Sequence, residues 1–326
     1  MPEGFRFIDV ENRCVTSEFG QDPKFGVNIK FVAFSYVWGG SSVSQDNALL
    51  KSNRSEIEAA GGLKEGKVPQ AIEDAITICK QLKQRYLWVD RFCIIQNNED
   101  GGEKQRQIDA MGDIYSSAEF TIIHASGESL QCPILGVSRE GNVLQFKSVI
   151  AGLEFTNAYP DPGAFLKRSK WETRGWTYQE AILSPRKLVF TSFEVWFECN
   201  DPDDPFRRED QYSTQSKDQY SRYGKVAPFR VNLFPKREVC DFANFVHHLE
   251  SYTARSLTNQ SNILNAFTGI LASVYKDKRS FHGLPKANLD LALLWYYDAA
   301  KIAPHGHGPQ LARESLLQWA RTARDS

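Results

Sequence analysis

Five alternating segments in the first 126 residues constrain the fold more than any other feature of this chain. Three short apolar runs, NIKFVAFSYVW (28–38), YLWVDRFCII (86–95) and FTIIHAS (120–126), are separated by two stretches of helical periodicity. The runs are nearly continuous rather than alternating, which suits strands covered on both faces of a sheet. Between the first two, Ile72, Ala75, Ile76, Cys79 and Leu82 form one helical stripe that begins just past Pro69. Between the second and third, Ile108, Met111, Ile114, Tyr115 and Ala118 form another within EKQRQIDAMGDIYSSA. Strand, helix, strand, helix, strand with short connections predicts parallel βαβ units with right-handed crossovers.

Further on, LQFKSVI (144–150) reads as a strand within a less regular stretch, 127–168. Ser169 and Glu172 have the S-x-x-E spacing of a capping box, which predicts a helix starting there, and Ser184-Pro185 closes it. KLVFTS and VWFEC (187–199) predict two strands joined by a tight turn at Ser192–Glu194. Residues 201–235 are charged and rich in Pro and Gly, and read as a surface excursion or linker. Beyond them DFANFVHHLESYTAR and SNILNAFTGILASVY are helical, LDLALLWYY (289–297) is a further apolar segment, and a short helix is expected near LARESLLQWA. The expected organisation is an α/β core over 1–200, the excursion over 201–235, and a mainly helical extension over 236–326 packed on the core.

Charge and cysteine usage narrow the environment. With 39 Lys and Arg against 40 Asp and Glu, the chain has no basic excess to engage DNA. Arg207, Arg208, Arg222, Lys225 and Arg230 are interspersed with acidic residues and read as solvated surface. Nothing reads as a secretory signal or as a membrane span. The 6 cysteines are widely spaced without C-x-x-C, which argues against a disulfide framework or zinc ribbon and predicts reduced thiols in the cytoplasm. No metal site is expected: His305 and His307 lack further ligands.

Three blocks, in order, resemble the HET domain of fungal heterokaryon-incompatibility proteins. FSYVWG (34–39) is similar to that family's L-S-Y-x-W-G. LWVDRFCIIQN with EKQRQIDAMGDIYSSA is similar to its long central block, and RGWTYQEAILSPRKLVF to its R-x-W-x-x-Q-E signature. YTARSLTNQSNILNAFTGI (252–270) is a weaker fourth match. Departures fall at Phe34, where an aliphatic residue is usual, at Ile95, where Asn is frequent, and at Asn262, where Asp is often seen. The resemblance implies a role in non-self recognition and regulated cell death, with an incompatibility partner protein and self-association. HET domains are in turn distantly similar to the Toll/interleukin receptor (TIR) superfamily, which implies a flavodoxin-like parallel sheet flanked by helices. Some of that superfamily hydrolyse NAD, so NAD or a related nucleotide enters as an expected substrate rather than as a cofactor.

Ligands of open parallel sheets bind outside the carboxyl ends of the strands. Ser35, Tyr36, Trp38 and Gly39 fall at that end of the first strand, and Asp90 and Arg91 toward that of the second. Asp90 interrupts an apolar run, and its plainer alternative is a structural ion pair with Arg91 or Arg174. The W-x-x-x-E of Trp176 to Glu180 resembles the TIR helix that carries the catalytic glutamate. Trp176 and Glu180 are i, i+4 neighbours, offering a stacking surface beside a carboxylate. Glu180 is therefore the expected catalytic residue, with Ser35, Tyr36, Trp38, Gly39, Asp90, Arg91, Arg174 and Trp176 shaping the pocket. The alternative for Glu180 is a structural pair with Arg174 or Arg186. Cys93 with His124 is a weaker nucleophile–base candidate.

Overall fold

The apolar runs pair as neighbouring strands in a computed structural model. It describes residues 2, 4–17, 29–39, 48–97, 102–139, 147–156, 162–199, 241–257, 262–275, 280–281 and 283–292. Seven strands form one sheet: β1 (Phe7–Asp9), β2 (Cys14–Thr16), β3 (Val32–Ser35), β4 (Tyr86–Trp88), β5 (Phe120–His124), β8 (Arg186–Phe190) and β9 (Val195–Cys199). Their order is β2-β1-β4-β3-β5-β8-β9. The four central strands, β4-β3-β5-β8, are mutually parallel. β1 and β2 on one side and β9 on the other are antiparallel. The sheet is thus mixed, parallel at its centre as expected and antiparallel at both edges. Numbered by their order in the chain, the parallel strands run 2-1-3-4. The winding reverses between β3 and β5, where an open sheet presents a crevice at its carboxyl edge.

The helices are α1 (Arg54–Glu58), α2 (Gln70–Gln81), α3 (Asp90–Cys93), α4 (Gly102–Asp109), α5 (Met111–Ser117), α6 (Pro162–Arg168), α7 (Gly175–Leu183), α8 (Asp241–Thr253), α9 (Asn265–Tyr275) and α10 (Leu289–Ala292). Strand β6 (Lys147–Ile150) and β7 (Leu153–Thr156) form a separate antiparallel hairpin.

Three expectations change at element ends. The run 86–95 is not one strand: it leaves the sheet after Trp88 and makes the helical turn α3, closed by Cys93 N–H to Val89 O (2.8 Å) and Ile94 N–H to Asp90 O (3.1 Å). The helix 103–118 is broken at Ala110 into α4 and α5. Glu172 N–H does donate to Ser169 Oγ (3.1 Å), but that bond closes a turn, and the helix begins at Gly175 with Arg174 as its extended N-cap. Helix α7 ends before Ser184, and β8 and β9 form the expected turn-joined pair. Residues 201–235, the histidines at 305 and 307, and the segment LARESLLQWA lie outside the described residues.

The β1–β2 hairpin escapes the sequence pattern because three-residue strands are too short to show periodicity. It is held by Asp9, whose carboxylate accepts the N–H groups of Glu11 and Asn12, each at 3.0 Å, and takes Arg85 at 2.9 Å.

Side chains alternate between the two faces of the central strands, as pleating requires, and both faces are buried. Phe34, Ile122 and Phe190 join the main core with Ile72, Ile76, Trp88 and Ile114. Ile123 and Val189 join a smaller cluster with Trp171, Leu166, Ala181 and Trp196. Ser35 pairs with Ile123 and Ala33 with Thr121, so Ser35 and Thr121 project from one face. That face is covered by α7: Thr121 Oγ1 lies 2.6 Å from Ser184 Oγ, which donates to Glu180 O at 2.5 Å. Helix α9 packs on α5 and α7 at a glycine crossing, where a Cβ on Gly112 would sit 2.9 Å from Gly269 Cα.

A candidate site at the carboxyl edge of the sheet

The edge residue of β3 sets the site. Ser35 is buried, and its hydroxyl donates to Glu180 Oε2, while Trp171 Nε1–H donates to the same Ser35 Oγ at 2.8 Å. An indole nitrogen only donates. Trp171 therefore orients the serine rotor, leaving the Ser35 proton for the carboxylate. Tyr115 on α5 donates its hydroxyl to Phe34 O at 3.1 Å and helps to lower the pKa of the Glu180 carboxyl.

A second buried carboxylate, Asp90, lies near enough for its charge to act on the first. Tyr36 OH donates to Asp90 Oδ1 at 2.5 Å and Trp38 Nε1–H to Oδ2 at 2.7 Å. Arg91 N–H donates to Asp90 Oδ1 at 2.8 Å. The strand ends at Trp88, and Asp90 gathers these donors from the first position of the helical turn α3. Phe34, Tyr36 and Trp38 form a stacked ladder, with ring centroids 4.9 and 6.4 Å apart. The Arg91 guanidinium lies 5.4 Å from the centre of the Trp38 ring. Gly39, at φ 94°, turns the chain off this ladder in a conformation that suits glycine.

Glu180 is 7% exposed, and its pKa is pushed from the ordinary 4.5 to about 7. Burial is the main cause and the Asp90 charge adds to it, while Ser35, Arg174 and Tyr115 pull the other way. Burial likewise raises Asp90, against Tyr36, Trp38, the Arg91 N–H and Arg174. Arg174 thus helps to lower the pKa of both carboxyls.

A pH prediction follows from Glu180. Between 4.5 and about 7 the folded chain binds a proton that the unfolded chain has released. This group's contribution therefore lowers stability as pH rises through that window. Burial depresses His124 and His248 to about 4, so they act in the opposite sense below 6.5. Comparing wild type with Glu180→Gln cancels the histidines. In chemical denaturation from pH 4.5 to 7.5, the variant gains stability relative to wild type as pH rises, and parallel curves exclude the shift.

The structure brings Ser35 and Glu180 into direct contact, places Tyr36, Trp38 and Arg91 around Asp90, and sets Gly39 on the adjoining rim. Trp176 is half-buried and packs against the main core, and Thr173 lies exposed before α7. Of the structural pairs considered for Glu180, Arg186 turns instead to Glu119 O at 3.3 Å. The Cys93–His124 pair is not formed. Cys93 Sγ accepts from Val89 N–H at 3.3 Å and its thiol is pushed up to about 12 by burial, whereas His124 lies 3.1 Å from Cys132 O. Among the described cysteines, Cys14, Cys79 and Cys93 are buried and Cys132 and Cys199 partly so, and all are free thiols. No group of three or more potential metal ligands occurs among the described residues. No helix among them is long and apolar enough to cross a membrane.

Two members of the site carry no functional signal in the sequence. Tyr115 falls within an apolar helical stripe by its spacing, and Trp171 has no local pattern to mark it. Both contribute through a single polar atom on an otherwise apolar ring.

Residues 31–180 match the model of the family described as heterokaryon incompatibility protein (HET). A relative, heterokaryon incompatibility protein 6 (OR allele) of Neurospora crassa, is 30% identical over 105 residues. That match covers 28% of this chain and 14% of the relative. No solved structure matches the chain significantly. The matched span contains Ser35, Tyr36, Trp38, Asp90, Tyr115, Trp171 and Glu180.

Proposed function

We propose, from the match of residues 31–180 to the HET family model and the likeness to a heterokaryon incompatibility protein, that this chain is an effector of fungal heterokaryon incompatibility that triggers regulated cell death by hydrolysing NAD. The observation that carries the chemistry is the Ser35–Glu180 hydrogen bond, which holds a buried carboxyl, pushed up to about 7, at the carboxyl end of β3, the strand that leads into the Tyr36–Trp38 ladder. The 2-1-3-4 order of the parallel strands supports the likeness to the flavodoxin-like TIR superfamily.

In this reading the nicotinamide ring stacks on an indole, and the ribose lies toward Glu180. The C1′–N bond breaks with its electron pair passing to the pyridinium nitrogen, so nicotinamide leaves neutral without a general acid. The ribosyl oxocarbenium that remains is stabilised by the ionised carboxylate until water adds at C1′ and loses a proton. The test is incubation of the purified chain with NAD at several protein concentrations, following nicotinamide by chromatography. Release that rises faster than protein concentration identifies an assembly-dependent hydrolase. The absence of release at every concentration removes the enzymatic reading.

A second reading, a non-enzymatic module acting through self-association and partner recruitment, draws on the β6–β7 hairpin. Val149, Ile150, Leu153 and Phe155 are 70, 59, 65 and 50% exposed there. Clustered exposed apolar side chains of this kind suit a protein partner. Toxicity in a fungal host without NAD turnover, lost on polar substitution of Ile150 and Leu153, would select this reading.

A further inference from the structure

The chain just after α8 lies beyond the 31–180 span, yet it is fastened to the turn that enters α7. Arg255 Nη1 donates to Glu172 O at 2.5 Å and to Arg174 O at 3.4 Å, and Nη2 pairs with the Glu172 carboxylate. The same guanidinium lies 4.6 Å from the centre of the Tyr178 ring. Ser256 N–H donates to Thr173 O at 2.7 Å, and Gly175 N–H returns a bond to Ser256 O at 2.8 Å. The approach is close enough that a Cβ on Gly175 would meet Leu257 Cδ2 at 2.7 Å. Tyr178 OH is hydrogen-bonded to the buried His248 Nδ1 at 2.9 Å, tying α8 to the same helix.

The middle residue of this fastened stretch is Arg174. Its backbone is held on both sides, and its charge acts on both Asp90 and Glu180. We propose that Arg255 is a positioning residue for the candidate site: by clamping the carbonyls of Glu172 and Arg174 it fixes the entry to α7, the helix that carries Glu180, together with the Arg174 cation at that entry, making residues 252–257 part of the functional unit. The proposal rests on the reading of Glu180 as the acting carboxylate. A planar five-donor fork with an aromatic face beneath it suits such a clamp, and a lysine ammonium reproduces the charge but not the fork. The Arg255 side chain is buried and that of Glu172 partly so, so each loses hydration that the other's charge offsets.

The groups that face Glu180 are Ser35 from β3, Tyr115 from α5, Asp90 from α3 and Arg174 at the start of its own helix, with Tyr36 acting electrostatically. Of these, only Arg174 is reached by the clamp. The experiment is a pH titration of the full chain carrying carboxyl-13C glutamate, in which Glu180→Gln identifies the Glu180 signal. Arg174→Gln raises the Glu180 midpoint by about half a pH unit, as loss of one screened cation implies. Arg255→Gln raises it by a comparable amount, and Arg255→Lys recovers part of the shift. If Arg255→Gln does not fold, Glu172→Gln is the deciding variant and also raises the midpoint.

A midpoint that moves with Arg174→Gln but stays put in the folded clamp variants makes Arg255 a packing residue only and overturns the proposal. So does a midpoint that ignores Arg174→Gln. Nicotinamide release is assayed in parallel. Its absence in wild type, with the titration shifts intact, would sink the hydrolase and leave the positioning relation standing.

Discussion

Under the proposed NAD hydrolysis, Glu180→Gln is expected to lower nicotinamide release by about 100- to 1,000-fold, the loss typical when one preorganised electrostatic stabiliser of a transition state is removed. The substitution is nearly isosteric, so Ser35 retains an acceptor and the chain stays folded. The neutral amide also removes the cost of ionising a group that burial holds near 7. Above that pH the variant is therefore at least as stable as wild type. Loss of turnover without loss of stability separates a chemical role from a structural one. Wild-type rates in a folded Glu180→Gln chain would end the assignment. Asp90→Asn serves as the contrast: it removes the neighbouring charge that helps hold Glu180 up, so the activity–pH profile moves to lower pH.

The second large effect is on folding. Gly269→Val destabilises the chain by about 3–5 kcal/mol, combining overpacking with a lost, partly buried hydrogen bond. A Cβ at this position would lie 2.8 Å from Gln179 Oε1, 3.0 Å from Gly112 Cα and 3.0 Å from Leu183 Cδ1. Only Gln179 and Leu183 have side chains that can move, and moving Gln179 breaks its 3.1 Å bond from Gly269 N–H. Backbone meets backbone at Gly112, so α9 must lift away from α5 and α7. The measurement is the midpoint of thermal or urea unfolding; a change below about 1 kcal/mol would mean that the helices separate there at little cost. Gly136, at φ +86° with open space where a Cβ would stand, provides a control whose cost is conformational alone.

The helices α2, α5 and α7 and the strands β3, β5, β8 and β9 are legible because each buries a stripe or a run whose spacing records its geometry. The run at 86–95 is not, since apolar residues satisfy a strand and a buried helical turn equally well. What separates the two is Asp90, whose partners Tyr36 and Trp38 lie more than 50 residues earlier. The expected start of α7 at Ser169 fails for a related reason. The local capping bond forms, but Glu172 is claimed by Arg255, 83 residues away, and the helix starts three residues later.

Local side-chain chemistry thus determined that strands and helices alternate here, that Ser35 closes a strand, and that Glu180 rides on a helix, because those properties depend on neighbours within a few positions. Tertiary structure alone decided that Ser35 faces Glu180, that Trp171 supplies the proton orienting that serine, and that Arg255 reaches back to the turn holding Arg174. Each of those depends on a single polar atom finding one partner across the sheet. Periodicity sums the hydrophobicity of many residues, and it carries no record of where one hydrogen bond goes.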